Sequence, residues 1–505
     1  MEGNQVQLRD PKYILLTISL AIMTFLRFYD VPPIIFPDAG TYTAVAKSIL
    51  IGKGFSYIFL PDNPPLDGNP PGYPIVIASC LLISGSNEYI FMGKFVSLIC
   101  GTLLFIPTYL VGKKFFNSSV GLLSAILVIT NNYIFVFSRL SLTESIFSYY
   151  FILIMYLVLL FEEKTNKQKE IVVAISFLSG IAAVTRIVGY MIFFCFLFYL
   201  ILSIKKMQKK LVLSSLAMIT FIVTLVFWWS RNFLLFNNIE LLYNIGALGW
   251  TMSNGNIITH LLLGLYNYTL FFGAVTFGRA SILYLYEKYL ILAAIALLFT
   301  IFTGIYGLKS ILHKKGSLYI YLTSFLFVLV YIWWFQALVR FLVPFIPIIT
   351  VLIVGSITKI KLPFQIKMIE LPTHTRTISI LTICSLIILS NVISVMTSIQ
   401  KQEIPFTVIA GKWLKENTDA DAIIYTSLYS EIYVYSERKC IAPLSTTNNS
   451  KMITHMLSNE VDFVVAHPAD SRLSWLLDQN EEVPNILTIE YKDDDLKLTI
   501  FSVAN

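Results

Sequence analysis

The sequence is poor in charge. Only 13% of its 505 residues are Asp, Glu, Lys or Arg, whereas soluble domains carry about 25%. Its five cysteines (Cys80, Cys100, Cys195, Cys384 and Cys440) are scattered and lie mostly within apolar blocks. That distribution excludes a disulfide framework and a thiolate metal site. A glycine-rich phosphate loop, an internal repeat and a low-complexity tract are also lacking. The net charge of +7 comes largely from lysines in short turns rather than from one basic surface, so nucleic acid is not an expected partner.

What the chain has instead is apolar length. It is 56% hydrophobic and 14% aromatic, and the apolar residues fall into blocks near the roughly 20 residues that cross a bilayer as a helix. Candidate spans are 12–29, 89–112, 119–137, 144–162, 170–186, 188–204, 211–229, 288–307, 317–335, 338–357 and 377–397. The expected fold is therefore an α-helical polytopic membrane protein with about 11–13 transmembrane helices. The first block follows Arg9 and Lys12 and reads as a signal anchor with a cytoplasmic N-terminus, not as a cleaved leader.

Residues 72–87 are apolar but short. Topology decides how to treat them. If they lie at the surface or re-enter, the clusters Lys113–Lys114, Lys164–Lys169, Lys205–Lys210, Lys309–Lys315 and Lys359–Lys367 all fall on the cytoplasmic side. If they cross alone, most of those clusters move outside. The first reading makes the span count odd and the C-terminal tail extracytoplasmic.

From about residue 400 polar residues return. Thr407 to Asn417 has amphipathic helix spacing, and Ala422 to Thr426, Val461 to Ala466 and the flanks of Asp493-Asp494-Asp495 read as strands. The expected organisation is a membrane domain over 1–398 and a small extracytoplasmic α/β domain over 399–505. Two long outer loops, 30–88 and 230–287, interrupt the membrane domain. The aspartate run has charge to attract a divalent cation, but no ligand spacing supports one, and a solvated turn is the simpler reading.

Within the expected topology, Arg27, Arg139, Arg186, Arg231, Arg279 and Arg340 map to outer span ends or outer loops. Positive charge there runs against the topological bias. A guanidinium is a planar fork that binds phosphate or carboxylate in two-pronged fashion. As a set, these arginines point to an anionic ligand at the outer leaflet, although any one of them is explained as well by snorkelling or a local acid. The first outer loop is rich in proline, and long ordered loops of this kind usually carry function. Its residue Asp38 stands just before a stretch of helical spacing, where it either caps the helix or supplies a base beside the bilayer. Glu144, opening the helix after Ser138-Arg139, either favours the positive helix end or is a second carboxylate that positions the acceptor or pairs with an arginine.

The motifs Pro37-Asp38-Ala39-Gly40-Thr41-Tyr42, Pro70-Pro71-Gly72-Tyr73-Pro74, Ser138-Arg139 with Thr143-Glu144, Thr185-Arg186, Arg231-Asn232 and Arg340-Phe341-Leu342-Val343-Pro344 occur in this order over about residues 12–345. In order and topology the chain resembles the GT-C glycosyltransferases that use polyprenyl-phosphate sugars, specifically the protein O-mannosyltransferase and aminoarabinose-transferase-like family (glycosyltransferase family 39-like). The resemblance implies a general base at Asp38 and lipid-phosphate binding by outer arginines. It implies transfer of a sugar from a dolichyl or undecaprenyl phosphate to an acceptor hydroxyl, on a protein or a lipid-linked glycan, at the extracytoplasmic face of a prokaryotic plasma membrane. No cofactor is required by that chemistry. The candidate residues are Asp38 and Glu144 for catalysis, Arg139, Arg186, Arg279 and Arg340 for the donor phosphate, and Tyr42, Asn69, Tyr73, Arg231 and His260 for substrate. Two departures stand out: relatives often have a second acid where Ala39 stands, and a charged residue where Asn69 stands. The competing readings are a lipid-linked-glycan transporter or flippase, and a polysaccharide ligase. Repeated halves with broken helices near mid-membrane mark the former; the latter leaves the Asp38 loop idle.

Overall fold

The computed structural model describes residues 11–29, 36–237, 271, 273, 275–277, 283, 287–288, 290–333, 339–359, 373–400, 405–444, 446, 448–468, 470–477 and 485–504. By contact it divides into two compact units. The first comprises 1–30, 97–139 and 143–401, and the second 31–96, 140–142 and 402–505.

The first unit is helical. Among the described residues, seven helices are long and apolar enough to cross a bilayer: Tyr89–Phe115, Glu144–Glu163, Thr165–Thr185, Met207–Phe236, Ala294–Ile311, Arg340–Lys359 and Thr382–Ile399. An eighth is a broken pair, Ser118–Thr130 and Asn132–Ser138, bent by 56°. The lower end of the expected 11–13 is reached only with the shorter apolar helices Thr17–Phe28, Gly189–Ser203 and Ser317–Phe327, each of which lies within a span expected from sequence. Large apolar side chains such as Val223, Phe227, Ile291 and Phe302 stand 60–77% exposed. Exposed apolar surface on this scale is unsuited to water. This is an integral membrane protein.

Small residues permit a close crossing. A Cβ on Gly112 would stand 2.7 Å from the Gly121 backbone, the close approach that small residues permit between membrane helices. The bend in the broken pair has a definite cause. Asn131 accepts from the N–H groups of Tyr133 and Ile134, restarting the helix, and donates to Val275 O at 2.9 Å. By hydropathy 119–137 is one continuous span, because an apolar run does not reveal a buried asparagine cap.

The second unit joins the first loop to the C-terminal residues. Its sheet has the order β2-β1-β3-β5-β4, with β1 (Ile423–Tyr425), β2 (Lys439–Ile441), β3 (Phe463–Ala466), β4 (Leu487–Asp493) and β5 (Leu498–Val503). The β1 pairings to β2 and β3 are parallel, and the β3–β5 and β4–β5 pairings are antiparallel. Helices Phe406–Asn417, Tyr429–Ser436 and Asn449–Ser458 complete it. Asp493-Asp494-Asp495 forms the β4–β5 turn, where Asp493 accepts from Leu496 N and Asp494 pairs with Lys492.

The loop is part of this core. Ile58 and Phe59 pack with Ala410, Leu414, Ile424, Val465 and Ile500. Cys440 N donates to Phe59 O at 2.8 Å, and Lys439 Nζ to Leu60 O at 3.1 Å. The boundary expected at 398/399 therefore does not coincide with these units, since apolar residues in a loop do not announce which core they fill. The loop helices, labelled α2 (Pro37–Leu50) and α3 (Gly72–Ser84) after the first span α1 (Pro11–Tyr29), belong to this unit. At 13 residues, α3 is short of a full crossing.

Candidate active site

In the second unit, Pro37 takes the first position of α2, where its missing N–H is no loss. The N-cap is Phe36, which makes no side-chain cap. The capping reading of Asp38 is therefore corrected: Asp38 sits inside the first turn, partly exposed, where the helix dipole favours its charge. The residues that follow it are buried, with Ala39 at 1% and Tyr42 at 7% exposure.

Tyr42 packs edge-on to Tyr73, with ring centroids 5.5 Å apart. Tyr73 is fully buried and its hydroxyl donates to Gly93 O at 2.6 Å. In this arrangement Tyr73 braces α2 through Tyr42. Asn69 lies partly buried just before α3.

In the first unit, four of the predicted residues sit at chain breaks between helices. Arg139 is the C-cap of the Asn132–Ser138 segment, and Glu144 opens Glu144–Glu163. Arg186 is the C-cap of Gln168–Thr185, and Arg340 lies in the 3-10 turn Val339–Phe345. Three of them meet. Arg186 pairs with Glu144 Oε1 at 2.9 Å, and Arg340 approaches the same oxygen at 3.8 Å. Arg186 also donates to Thr143 Oγ1 at 3.2 Å, and both arginines lie over the Phe341 ring at 5.2 Å. Glu144 is only 1% exposed. A buried carboxylate engaged by two guanidinium groups holds those groups in place.

Arg139 is also buried, at 2% exposure, and stacks on Phe135 at 4.9 Å. Arg27, fully buried, lies 6.0 Å from the same ring and donates to Ile129 O at 3.0 Å. Arg231 donates to Asn232 at 2.7 Å and lies over Trp228. Arg279 and His260 lie outside the described residues.

An apolar cavity of about 370 Å³ opens in the same unit, lined by Phe271, Thr300, Gly304, Phe327, Phe345 and Ile348 among others. Sequence reasoning missed it because its walls come from segments far apart in the chain. It also missed Phe341 as the plate under both arginines, although the aromatic beside Arg340 was a usable signal.

The family model described as dolichyl-phosphate-mannose-protein mannosyltransferase matches residues 68–229. ArnT from Cupriavidus metallidurans bound to undecaprenyl phosphate is similar in structure, with a TM-score of 0.69 and 12% identity over 98% of each chain. The Archaeoglobus fulgidus oligosaccharyltransferase tethered to an acceptor peptide superposes with a TM-score of 0.60 and 13% identity, covering 91% of this chain and 69% of that one. AglB from Archaeoglobus fulgidus, in complex with an inhibitory peptide and a dolichol-phosphate, gives 0.61 and 12%, again over 91% and 69%. No curated protein matches the chain. At these identities the likeness is one of fold, and it spans nearly the whole chain.

Proposed function

From a membrane protein with the GT-C glycosyltransferase fold, we propose a transferase that moves a sugar from a polyprenyl phosphate to an acceptor hydroxyl. The observation that carries this reading is the Arg186–Glu144–Arg340 cluster. Glu144 gathers two guanidinium groups at one place, and a guanidinium is the side chain whose planar fork best matches a phosphate. The lipid phosphates held by two structures of the same fold support it.

In the proposed reaction the acceptor oxygen attacks the anomeric carbon from the side opposite the phosphate, inverting that centre. The carbon–oxygen bond to phosphate breaks and its electron pair stays on the leaving group. The acceptor proton passes to the Asp38 carboxylate as general base. Fixed guanidinium groups stabilise the charge that develops on the departing phosphate without reorganising. On the distribution of lysines we assign Asp38 and the C-terminal sheet to the extracytoplasmic face, with the N-terminus inside, and we take the membrane to be the plasma membrane of a prokaryote.

The test is release of radiolabel from a panel of dolichyl- and undecaprenyl-phosphate hexoses by the purified protein. Arg186→Ala and Arg340→Ala should each raise the donor KM about 10- to 100-fold, the loss of a hydrogen bond to a charged group. Donor affinity untouched by both would remove the phosphate assignment.

The apolar cavity suits an isoprenoid tail. A Cβ on Gly304 would meet nothing within 4 Å, so Gly304→Leu adds a side chain to that space without a backbone clash. Competition assays should then show long-chain lipid phosphates binding about tenfold more weakly or worse, from the apolar burial denied to them. Short-chain analogues should be unaffected. Equal losses for both would mean that the cavity does not hold the tail.

A further inference from the structure

The parallel part of the sheet has a switch point. The chain runs from β1 through the Tyr429–Ser436 helix to β2 on one side, then through the Asn449–Ser458 helix to β3 on the other side of β1. Sheets of this kind bind ligands outside the carboxyl ends of the strands where the order reverses, here between β1 and β3. Asp470, after β3 and 4% exposed, ties those two ends together. It accepts from Ser427 N at 3.0 Å, from Ser427 Oγ at 2.8 Å and from Arg472 N at 3.1 Å. Pro443 O, after β2, accepts from Arg472 Nη1 at 2.8 Å.

These contacts fix a guanidinium group without using it up. Arg472 is exposed, and among the described residues its Nε and Nη2 have no acceptor. Together those two atoms form a two-pronged edge that matches a carboxylate or a phosphate. Tyr429 lies two residues beyond Ser427. Its ring is partly buried and stacks on Phe59 with centroids 5.5 Å apart, and its hydroxyl makes no hydrogen bond among the described residues. The next residue, Ser430, donates to Pro37 O at 2.9 Å, and a Cβ on Gly40 would stand 2.8 Å from the Ser430 carbonyl, so only glycine fits there. The residues beside that hydrogen bond are Tyr429 on one helix and Asp38 on the other. Asp38 and Arg472 both lie within electrostatic reach of the Tyr429 hydroxyl.

We propose that this crevice binds the acceptor, and that Arg472 and Tyr429 hold a carboxylate or phosphate carried by the acceptor near its reacting hydroxyl. The acceptor class is an anionic glycan. A peptide acceptor needs a free strand edge or apolar anchors, and the near edge is taken: Cys440 N of β2 donates to Phe59 O at 2.8 Å. The far edge, β4, is separated from β1 by β3 and β5. One oriented fork and one phenol hydroxyl suit a single charged group on a sugar. The assignment rests on the reading of Asp38 as the base, which places the acceptor hydroxyl on this side. No bond forms or breaks at Arg472 or Tyr429.

The test is calorimetric binding to the full-length protein, with methyl glucuronide and a methyl phosphoglucoside as probes and methyl glucoside as the neutral control. At least one anionic probe should bind about tenfold more tightly than the control, and the tighter of the two names the group. Arg472→Gln and Tyr429→Phe should each weaken it about tenfold or more, the loss of a hydrogen bond to a charged group. Arg472→Lys keeps the charge without the fork and should recover only part of the affinity. Anionic probes that bind no better than the control, or that ignore Arg472→Gln, overturn the inference. So does a serine peptide flanked by aspartates that binds more tightly than either sugar. With a donor that the wild type turns over, Arg472→Gln should raise the acceptor KM about tenfold and hold the donor KM to within about twofold; a donor KM raised instead puts Arg472 on the donor and overturns the inference. Normal turnover in Asp38→Asn removes the base reading and the acceptor assignment with it. An inactive Asp38→Asn together with unbound anionic probes removes this inference alone.

Discussion

Asp38→Asn should lower turnover of a polyprenyl-phosphate sugar about 100- to 10,000-fold, the range of general-base catalysis, while leaving donor binding intact. The change keeps the size of the side chain and removes its basicity. Its structural cost should be small. Asp38 makes no N-cap, since Phe36 holds that position, and it lies partly exposed in the first turn of α2. Losing a charge there forfeits about 0.3–1 kcal/mol of helix-dipole attraction. A large loss of kcat in a protein of nearly normal thermal stability therefore reports on chemistry. Retention of near-normal turnover would move the base elsewhere in the fold.

Glu144 should behave in the opposite way. Glu144→Gln removes the anion that Arg186 and Arg340 share. Breaking a buried ion pair by deleting one partner costs about 3–5 kcal/mol, because the remaining charge is left uncompensated. The purified variant should therefore melt well below the wild type. The sign of the ligand effect is the sharper part. With Glu144 neutral, the two guanidinium groups lose one competing anion, so added undecaprenyl phosphate should raise the melting temperature more in the variant than in the wild type. A smaller rise in the variant would mean that Glu144 itself contacts the donor, and a normal melting temperature would deny the ion pair its structural role.

Much of this molecule was legible from the sequence because the signals were local. Apolar blocks of bilayer length mark the spans whether or not their partners are known, and alternation marked β1, β3, β4 and β5 for the same reason. The position of Asp38 just after the first span, and of Arg139, Glu144, Arg186 and Arg340 at span ends, was equally local. Strand β2 and the Tyr429–Ser436 helix were not anticipated, since a three-residue strand and an eight-residue helix carry too little periodicity to stand out.

Tertiary structure alone decided the relations between them. Sequence left Glu144 as a helix-end acid or as a second carboxylate that positions the acceptor or pairs with an arginine; which arginines it meets, Arg186 and Arg340, the latter nearly 200 positions away, came from the fold. Asn131 breaks a run that looks continuous, because its amide finds Val275 O across the fold. Phe59 fills the core of a sheet formed more than 360 residues later, and Gly40 admits Ser430 to the turn that carries Asp38. Hydropathy and periodicity are properties of a segment, whereas ion pairs, caps and close approaches exist only between segments, and which segments meet is decided when the chain packs.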